Sequence, residues 1–217
     1  MYQKLISGDK FYDLTADIYS QVYGGRTSEK WRATRAVDMT RGKVLAYRGK
    51  VFPSYFHATC GGSTTGASTL WNIDIPPLRG GSCNFCGISP HYNWRKELTV
   101  DYLESRFKEA CYEISVFSIE ILERDDSGRI LDLLVKGKGK DIKLSGNKFR
   151  LIIGSNVIRS SNFEVDVRGK YVTFIGKGWG HGVGMCQWGA FNMSTQGWKA
   201  EAILQYYYPG SEIIRVE

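Results

Sequence analysis

The chain has 217 residues, a formal net charge of +7 and a pI near 9.1, with 42% hydrophobic and 24% charged residues, an ordinary globular composition. The positive charge favours an anionic partner such as nucleic acid, a membrane surface or an acidic glycan. However, the Lys and Arg residues are spread along the chain without the run expected of a nucleic-acid arm, and no apolar run approaches the ~18 residues of a membrane span. No signal-peptide pattern opens the sequence.

The first part of the chain is predicted to carry a helix and a hairpin. Residues 1–25 have the pattern of extended pieces and turns. A capped helix is predicted over about 29–38. Two β-rich runs, 43–47 and 51–59, surround Arg48-Gly49 and indicate a hairpin.

A long loop separates this part from the remaining elements. It runs from Cys60 to His91, is rich in Gly, Ser, Thr and Pro, and is of a length that is usually functional or held by a metal. The elements predicted after it are a helix over about 100–110 capped by Thr99, strands over 112–124, 129–138 and 141–144, a helix over 145–153, strands over 163–167 and 170–176, and helices over 186–195 and 199–207. Hairpins dominate, so we predict an α+β fold: a hairpin-rich mixed sheet core with short helices and a long Gly/Cys-rich loop insertion. We expect a single domain over 1–217, in which 60–91 is the loop and 99–162 a candidate subdomain.

Two glycine-rich segments carry most of the functional signal. The first is Tyr55-Phe-His-Ala-Thr-Cys-Gly-Gly-Ser-Thr64, and the second is Gly178-Trp-Gly-His-Gly-Val-Gly-Met-Cys-Gln-Trp-Gly-Ala190. Brought together, they would offer imidazoles, hydroxyls and free backbone N–H groups, which bind sugar hydroxyls and carboxylates well. The alternative is a glycine-rich turn with an ordinary surface histidine. The predicted substrate-binding residues are His57, Thr59, Ser63, Thr64, Trp179, His181, Gln187 and Trp188.

The cysteines indicate a metal site or a disulfide. The chain has five of them, an odd number that excludes complete pairing within the chain. Cys83-Asn-Phe-Cys86 is a CxxC pair in a loop rather than at a strand-to-helix turn, which favours a metal over redox chemistry. We predict zinc, either structural or near the active site; the alternatives are a disulfide from Cys60 to Cys83 or Cys86, or free thiols. Cys111 is predicted to be a buried small hydrophobe. The candidate metal ligands are Cys60, Cys83, Cys86, His57 and His91.

Together, the two segments resemble the SpoIID/LytB family, which comprises stage II sporulation protein D lytic transglycosylases and amidase-enhancer modules. Gln21-Val-Tyr-Gly-Gly25 and Ile203-Leu204 with the following Tyr-Tyr-Pro-Gly210 match the family in order. The CxxC loop is similar to that of the family's zinc-bearing clostridial relatives. The family commonly has serine where this chain has Cys186, which implies a hydrogen-bonding or packing role there.

The resemblance also implies that the family's proposed catalytic carboxyl group is missing from this sequence. The family's proposed catalytic glutamate lies in an Ala-rich helix just upstream of the matched portion, and that helix is not present here. We therefore expect the general acid to lie outside this chain. The acidic residues nearest to the two segments are assigned to helix ends, turns or the surface: Glu29, Asp38, Asp74 and Glu97.

The function implied by the resemblance is cleavage of peptidoglycan glycan strands in sporulation, engulfment or wall remodelling. A lytic transglycosylase acting on denuded MurNAc-GlcNAc strands leaves 1,6-anhydro ends, because the 6-hydroxyl of muramic acid replaces water as the nucleophile. The alternative is a non-catalytic wall-binding or amidase-enhancer module. The expected partners are glycan strands and other cell-wall hydrolases, without nucleic acid or a nucleotide cofactor. The expected location is extracytoplasmic: the protein is expected in the cell wall, in the forespore-facing space, or at a membrane to which a missing N-terminal segment anchors it.

Overall fold

The computed structural model describes residues 24–216, so the predicted pieces over 1–23, including most of the Gln21 match, lie outside the described residues. The described residues divide into two compact units: Tyr55–Pro209 forms one, and residues 24–54 with 210–216 form the other. The α+β class is confirmed. Among residues 24–216, no helix has the length and apolar character to cross a membrane.

The smaller unit holds a three-stranded antiparallel sheet in the order β13 (Glu212–Arg215), β1 (Lys43–Tyr47) and β2 (Lys50–Val51). The predicted turn is present, with Arg48 at φ 50° and Gly49 at φ 72°, the left-handed pair that a tight hairpin requires. The second strand is shorter than predicted, because Pro53 has no N–H to donate to a ladder. The elements of this unit are α1 (Trp31–Met39), β1 (Lys43–Tyr47), β2 (Lys50–Val51) and β13 (Glu212–Arg215).

The larger unit contains the remaining elements. They are β3 (Phe56–His57), β4 (Ser63–Thr64), α2 (Ser68–Trp71), β5 (Gly81–Ser82), β6 (Asn93–Thr99), α3 (Val100–Glu109), β7 (Val116–Arg124), β8 (Ile130–Gly137), β9 (Asp141–Ser145), α4 (Gly146–Ile153), β10 (Phe163–Arg168), β11 (Tyr171–Lys177), β12 (Met185–Cys186), α5 (Gln187–Thr195) and α6 (Ala200–Tyr207). Two three-stranded antiparallel sheets, β7-β8-β9 and β10-β11-β6, form its framework.

An aromatic core fixes this framework. Phe107 of α3, Phe149 of α4, Phe163 of β10 and Phe174 of β11 are all almost fully buried, and the rings of Phe163 and Phe174 are 5.4 Å apart edge to face. Each such ring contributes roughly 1.5–3 kcal/mol through its removal from water. The core therefore anchors strand β11, whose last residue leads directly into the second glycine-rich segment.

Local capping placed the two helices of this core where the sequence predicts them. The Thr99 hydroxyl accepts a 3.2 Å bond from the Tyr102 N–H, and the Ser145 hydroxyl accepts one of 3.2 Å from the Lys148 N–H. Strand β6 was not predicted. Its sequence is mostly polar, and only its pairing with β11 along the whole strand makes it extended.

The loop over 60–91 is ordered by its own backbone bonds. The Cys83 N–H donates to the Gly62 carbonyl at 2.8 Å, and the Ala67 N–H donates to the Leu78 carbonyl at 2.8 Å. Leu78 is 1% exposed and gives the loop a small apolar centre. These contacts fold the loop back so that the CxxC pair lies beside Cys60.

Candidate functional site

The two glycine-rich segments meet through direct backbone pairing. Strands β3 and β12 run parallel, with Phe56 opposite Met185 and His57 opposite Cys186. Further along, Thr59 and Trp179 exchange reciprocal N–H···O bonds of 3.0 and 2.7 Å. Segments more than a hundred residues apart therefore form one site.

Glycine makes this close approach possible. Gly180 has φ 116°, and a Cβ at that position would lie 2.7 Å from the Cβ of His57. No other residue adopts this backbone without strain and leaves that space free. The result is an edge-to-face pair of imidazoles, His57 and His181, with ring centroids 5.5 Å apart.

Backbone hydrogen bonds fix the orientation of both imidazoles. Nε2 of His181 lies 3.0 Å from the Phe56 carbonyl, and Nδ1 accepts a 3.0 Å bond from the Val183 N–H, so the Nε2–H tautomer satisfies both contacts. Nδ1 of His57 lies 3.1 Å from the Val183 carbonyl, and its shielded Nε2 has no partner among the described residues. Burial lowers the pKa of both rings, that of His57 well below its ordinary value, so both are neutral at pH 7.

Aromatic side chains border the site in two groups. The first, which we call the His181 cluster, consists of Tyr55, His57, Trp71 and His181; the Trp71 ring is 5.1 Å from His181. The second, which we call the Trp179 cluster, consists of His91, Arg159, Trp179 and Trp188; the His91 ring is 4.6 Å from Trp179. The clusters adjoin, since Trp179 and His181 are two residues apart on one loop.

The predicted polar residues fall into different environments. Thr59 is fully buried, with its hydroxyl 2.8 Å from that of Ser89, so it holds the loop together and offers no surface to a substrate. The Thr64 hydroxyl donates to the Gly81 carbonyl at 3.1 Å and accepts from the Gly81 N–H at 2.9 Å. Ser63 contributes its carbonyl to Arg129, and Gln187 is exposed at the start of α5.

Four cysteines converge under these segments. The sulfur atoms of Cys60, Cys83, Cys86 and Cys186 all lie within 4.8 Å of one another, and all four side chains are buried. Cys60 and Cys86 are free thiols with their Sγ atoms 3.3 Å apart, well beyond the ~2.05 Å of a disulfide. The four together form a possible metal site, which we call the cysteine cluster.

The surroundings of the cysteine cluster suit sulfur anions. Cys186 caps α5, and its Sγ accepts bonds from the Cys60 N–H at 3.2 Å and the Gly189 N–H at 3.4 Å. A helix N-terminus and N–H donors stabilise a thiolate. Hydrogen bonds among the four sulfur atoms lower the pKa of Cys83 and Cys86 and raise that of Cys60 and Cys186, so in the absence of a metal some of the thiols donate to the others. The Sγ of Cys83 also lies 3.2 Å from the Tyr207 hydroxyl.

A buried guanidinium joins the cysteine cluster to both glycine-rich segments. Arg129 is 3% exposed and donates to the Cys60 carbonyl at 2.8 Å and to the Ser63 carbonyl at 2.9 Å. It also packs against Gly182, where any Cβ would collide with the guanidinium. None of the ion pairs found in residues 24–216 includes Arg129. The nearest carboxylate is that of Asp125, whose Oδ1 accepts a 2.9 Å bond from the Arg129 backbone N–H; Asp125 and the thiols of Cys60, Cys86 and Cys186 together act electrostatically on the guanidinium.

Comparison with known proteins places this arrangement in a family. The chain is 31% identical over 182 residues to stage II sporulation protein D of Bacillus amyloliquefaciens, an alignment covering 84% of this chain and 51% of that protein. It is 25% identical over 244 residues to the amidase enhancer of Bacillus subtilis, covering 89% of this chain and 34% of that protein. The chain is related to the SpoIID/LytB family.

Two further comparisons fit this SpoIID/LytB relationship. An uncharacterized protein of Brachyspira hyodysenteriae is 32% identical over 222 residues, covering 99% of this chain and 57% of that protein. A family described as a domain of unknown function (DUF8618) matches residues 87–184. The chain thus spans about half the length of the Brachyspira protein and of the sporulation protein.

The structure changes the ligand set expected from sequence for this SpoIID/LytB relative. Cys186, assigned to hydrogen bonding or packing, supplies the fourth sulfur. His57 and His91 do not lie in the cysteine cluster, because His57 bonds the Val183 carbonyl and Nδ1 of His91 faces Arg159 at 3.4 Å. The prediction for Cys111 was wrong: the side chain is exposed, just beyond the end of α3.

Sequence reasoning also missed two arginines beside the candidate site, Arg129 and Arg159. Neither belongs to a motif. Arg129 follows the Asp125-Asp-Ser-Gly128 turn, which in the sequence indicates only a hairpin, and Arg159 lies in the loop after α4. The sole sequence signal is that each stands beside a serine-containing turn, which is too common to select a residue.

The His181 environment predicts a pH dependence of stability. Burial lowers the pKa of His181 to about 4, although its bond to the Phe56 carbonyl acts in the opposite direction. The unfolded chain titrates near 6.5, so between about 6.5 and 4 the unfolded state binds the proton that the folded state excludes. This contribution is complete above the unfolded value and is lost as the pH falls towards 4.

The variant His181→Gln should therefore show a shallower loss of unfolding free energy from pH 7 to pH 4. The difference in slope from wild type should reach about 1.4 kcal/mol per pH unit at most. Urea unfolding at several pH values measures both slopes, and the titration of groups that do not interact with His181 cancels in the comparison. Burial and the charge of His181 both lower the pKa of His57, so part of the difference in slope comes from His57. Equal slopes would contradict the assignment.

Proposed function

We propose that this chain forms the glycan-binding body of an extracytoplasmic protein that acts on peptidoglycan during sporulation or wall remodelling. The proposed reaction is that of a lytic transglycosylase on denuded strands, with the general acid supplied from outside this chain. The observation that carries the proposal is the joining of the two glycine-rich segments, which sets His57 and His181 5.5 Å apart between aromatic side chains. The names of the sporulation and amidase-enhancer relatives point the same way.

The exposed side chains of the site are of the kinds that bind a sugar chain. Trp71 is 38% exposed, and Trp179, Trp188 and His181 are half-buried, so their ring faces are accessible at the edge of the site. Aromatic faces pack against the C–H surface of sugars, while the few polar groups beside them set orientation. His57 lies beneath this surface and holds His181 in place by ring contact.

The groups present support binding more directly than proton transfer. Both nitrogens of His181 are engaged by backbone groups, and the ring is neutral at pH 7. A glycosidase needs an acid to protonate the leaving oxygen, and a desolvated carboxylic acid is the usual choice. This observation favours the second candidate, a non-catalytic wall-binding or amidase-enhancing module.

We further propose zinc as the metal of the cysteine cluster. Four sulfur ligands in a closed tetrahedron at Zn–S of about 2.3 Å are typical of structural zinc, and the buried thiols here supply no open position for a substrate. The fit is supported by the two N–H···S bonds to Cys186 and by the buried guanidinium of Arg129, which interacts electrostatically with Cys60, Cys86 and Cys186. Bound there, zinc would tie the loop over 60–91 to the first turn of α5.

One experiment separates the two functions. The protein is incubated with denuded sacculi, and bound protein and released fragments are measured by sedimentation and mass spectrometry. The experiment uses two forms, this chain and a longer form that includes any coding sequence in frame upstream of Met1. Release of 1,6-anhydro products by either form supports the transglycosylase. Binding without release in both forms supports the module, and the absence of binding in both overturns the proposal. Addition of a purified wall amidase tests the enhancer partner.

A further inference from the structure

Arg159 lies at the site without belonging to either glycine-rich segment. Its carbonyl accepts a 2.9 Å bond from the Gly180 N–H and a 3.0 Å bond from Nε of Arg150. Arg150 is itself buried, so this contact fixes the backbone of the loop after α4. Arg159 is thus held beside the loop that carries Trp179 and His181.

The guanidinium of Arg159 is stacked but not paired. Its central carbon lies 5.1 Å from the centre of the Trp179 ring, and Nη1 lies 3.4 Å from Nδ1 of His91. No carboxylate forms an ion pair with it in the part of the chain that the structure describes. The side chain is only half-buried, so a ligand can reach it.

This combination is suited to a carboxylate attached to a sugar. A guanidinium presents a planar fork of N–H donors that matches a carboxylate in two parallel bonds. Stacking on an indole orients that fork and reduces the freedom lost on binding. The imidazole of His91 lies beside the guanidinium, and the ring centre of Trp188 lies 6.5 Å from that imidazole, so both rings are placed to contact the sugar that carries the carboxylate.

We infer that Arg159 binds the lactyl carboxylate of muramic acid and makes the site selective for glycan strands from which the stem peptides have been removed. The inference rests on the proposed function, because it assumes that the ligand is a glycan strand. In a strand that keeps its peptides, the lactyl group is an amide and carries no charge. The negative charge then lies on the peptide, further from the sugar ring.

Affinity measurements with four soluble ligands test the inference. They are denuded strands, the same strands with their lactyl carboxylates amidated, peptide-bearing strands, and oligomers of N-acetylglucosamine, which have no lactyl group. The wild-type chain should bind denuded strands at least about tenfold more tightly than each of the other three. In Arg159→Gln this preference should disappear, so that denuded strands bind no more tightly than the N-acetylglucosamine oligomers. Arg159→Lys should keep only part of the preference, since it retains the charge and loses the fork.

Arg168→Gln is the matched control. It removes the same charge at the β10–β11 turn, where Arg168 pairs with Asp166 at the far end of β11, about 20 Å along the strand from the site. Equal weakening by both variants would indicate general attraction, and a preference for denuded strands that persists in Arg159→Gln would overturn the inference. A preference for peptide-bearing strands would assign Arg159 to a stem-peptide carboxylate and would also overturn it. If the wild-type chain binds none of the four ligands, the proposed function itself fails.

Discussion

Replacing Cys186 with serine is expected to remove the metal and to produce the largest loss of stability in this protein. Wild-type protein should contain about one zinc per chain, and Cys186→Ser should contain almost none, because four-sulfur sites do not tolerate loss of a ligand. The lost cross-link between the loop over 60–91 and α5 should cost about 4 kcal/mol, or roughly 10 °C in the unfolding temperature. Elemental analysis and thermal unfolding measure the two effects.

Cys111→Ser controls for the chemistry of the substitution. Cys111 is exposed and lies outside the cysteine cluster, so its replacement should leave metal content unchanged and shift stability by less than about 0.5 kcal/mol. A strong chelator applied to wild-type protein should reproduce the Cys186→Ser unfolding temperature. Metal-free wild-type protein that unfolds at the same temperature as the metal-loaded form would argue against a structural metal.

Replacing Arg129 with methionine is expected to destabilise the site and to weaken metal binding at the same time. Two carbonyls, those of Cys60 and Ser63, would lose their guanidinium donors in a buried environment, at a total cost of about 3 kcal/mol or more. In addition, four thiolates with one divalent cation carry a net negative charge, which the buried guanidinium offsets. Chelator competition should therefore show at least about tenfold weaker metal binding.

Arg150→Met separates these two effects. Arg150 is also buried, and it donates to the carbonyls of Arg159 and Ser155 at 3.0 and 3.4 Å, away from the sulfur atoms. Its replacement should lower the unfolding temperature and leave metal affinity unchanged. If both variants weaken the metal equally, Arg129 acts on the metal through global stability alone and not through its charge.

Elements defined by local chemistry were predictable from the sequence. The cap Thr99 and the turn at Arg48-Gly49 each act over a few residues, and both were found where predicted. The cap predicted at Thr27 or Ser28 was wrong, because the first helix begins at Trp31 after Lys30, which makes no side-chain capping bond. Strand β6 was missed because its extended form depends on a partner some eighty residues away. The two glycine-rich segments were recognisable as a site because glycines around a histidine leave its ring open to close approach by another group.

The composition of the site was only partly predictable, since it depends on which segments become neighbours. The CxxC pair and Cys60 indicate a metal by their spacing, but Cys186 joins them only through the pairing of β3 with β12. The burial of Arg129 beside the sulfur atoms and the absence of a carboxylate beside Arg159 among the described residues cannot be seen in a sequence at all. A charged residue reveals its role only when its surroundings show that no opposite charge accompanies it.

The ladder between β3 and β12 is only two residues long, and it has a consequence for the evolution of insertions. Successive strand residues point to opposite sides, so His57 and Cys186, directly opposite each other, share one side, while Phe56 and Met185 share the other. Sliding either strand by a single position would exchange these sides and send the imidazole and the thiol in opposite directions. An insertion or deletion within either strand is therefore expected to be tolerated only if it changes the length by an even number of residues. Other insertions and deletions are expected only beyond the glycines that flank the ladder.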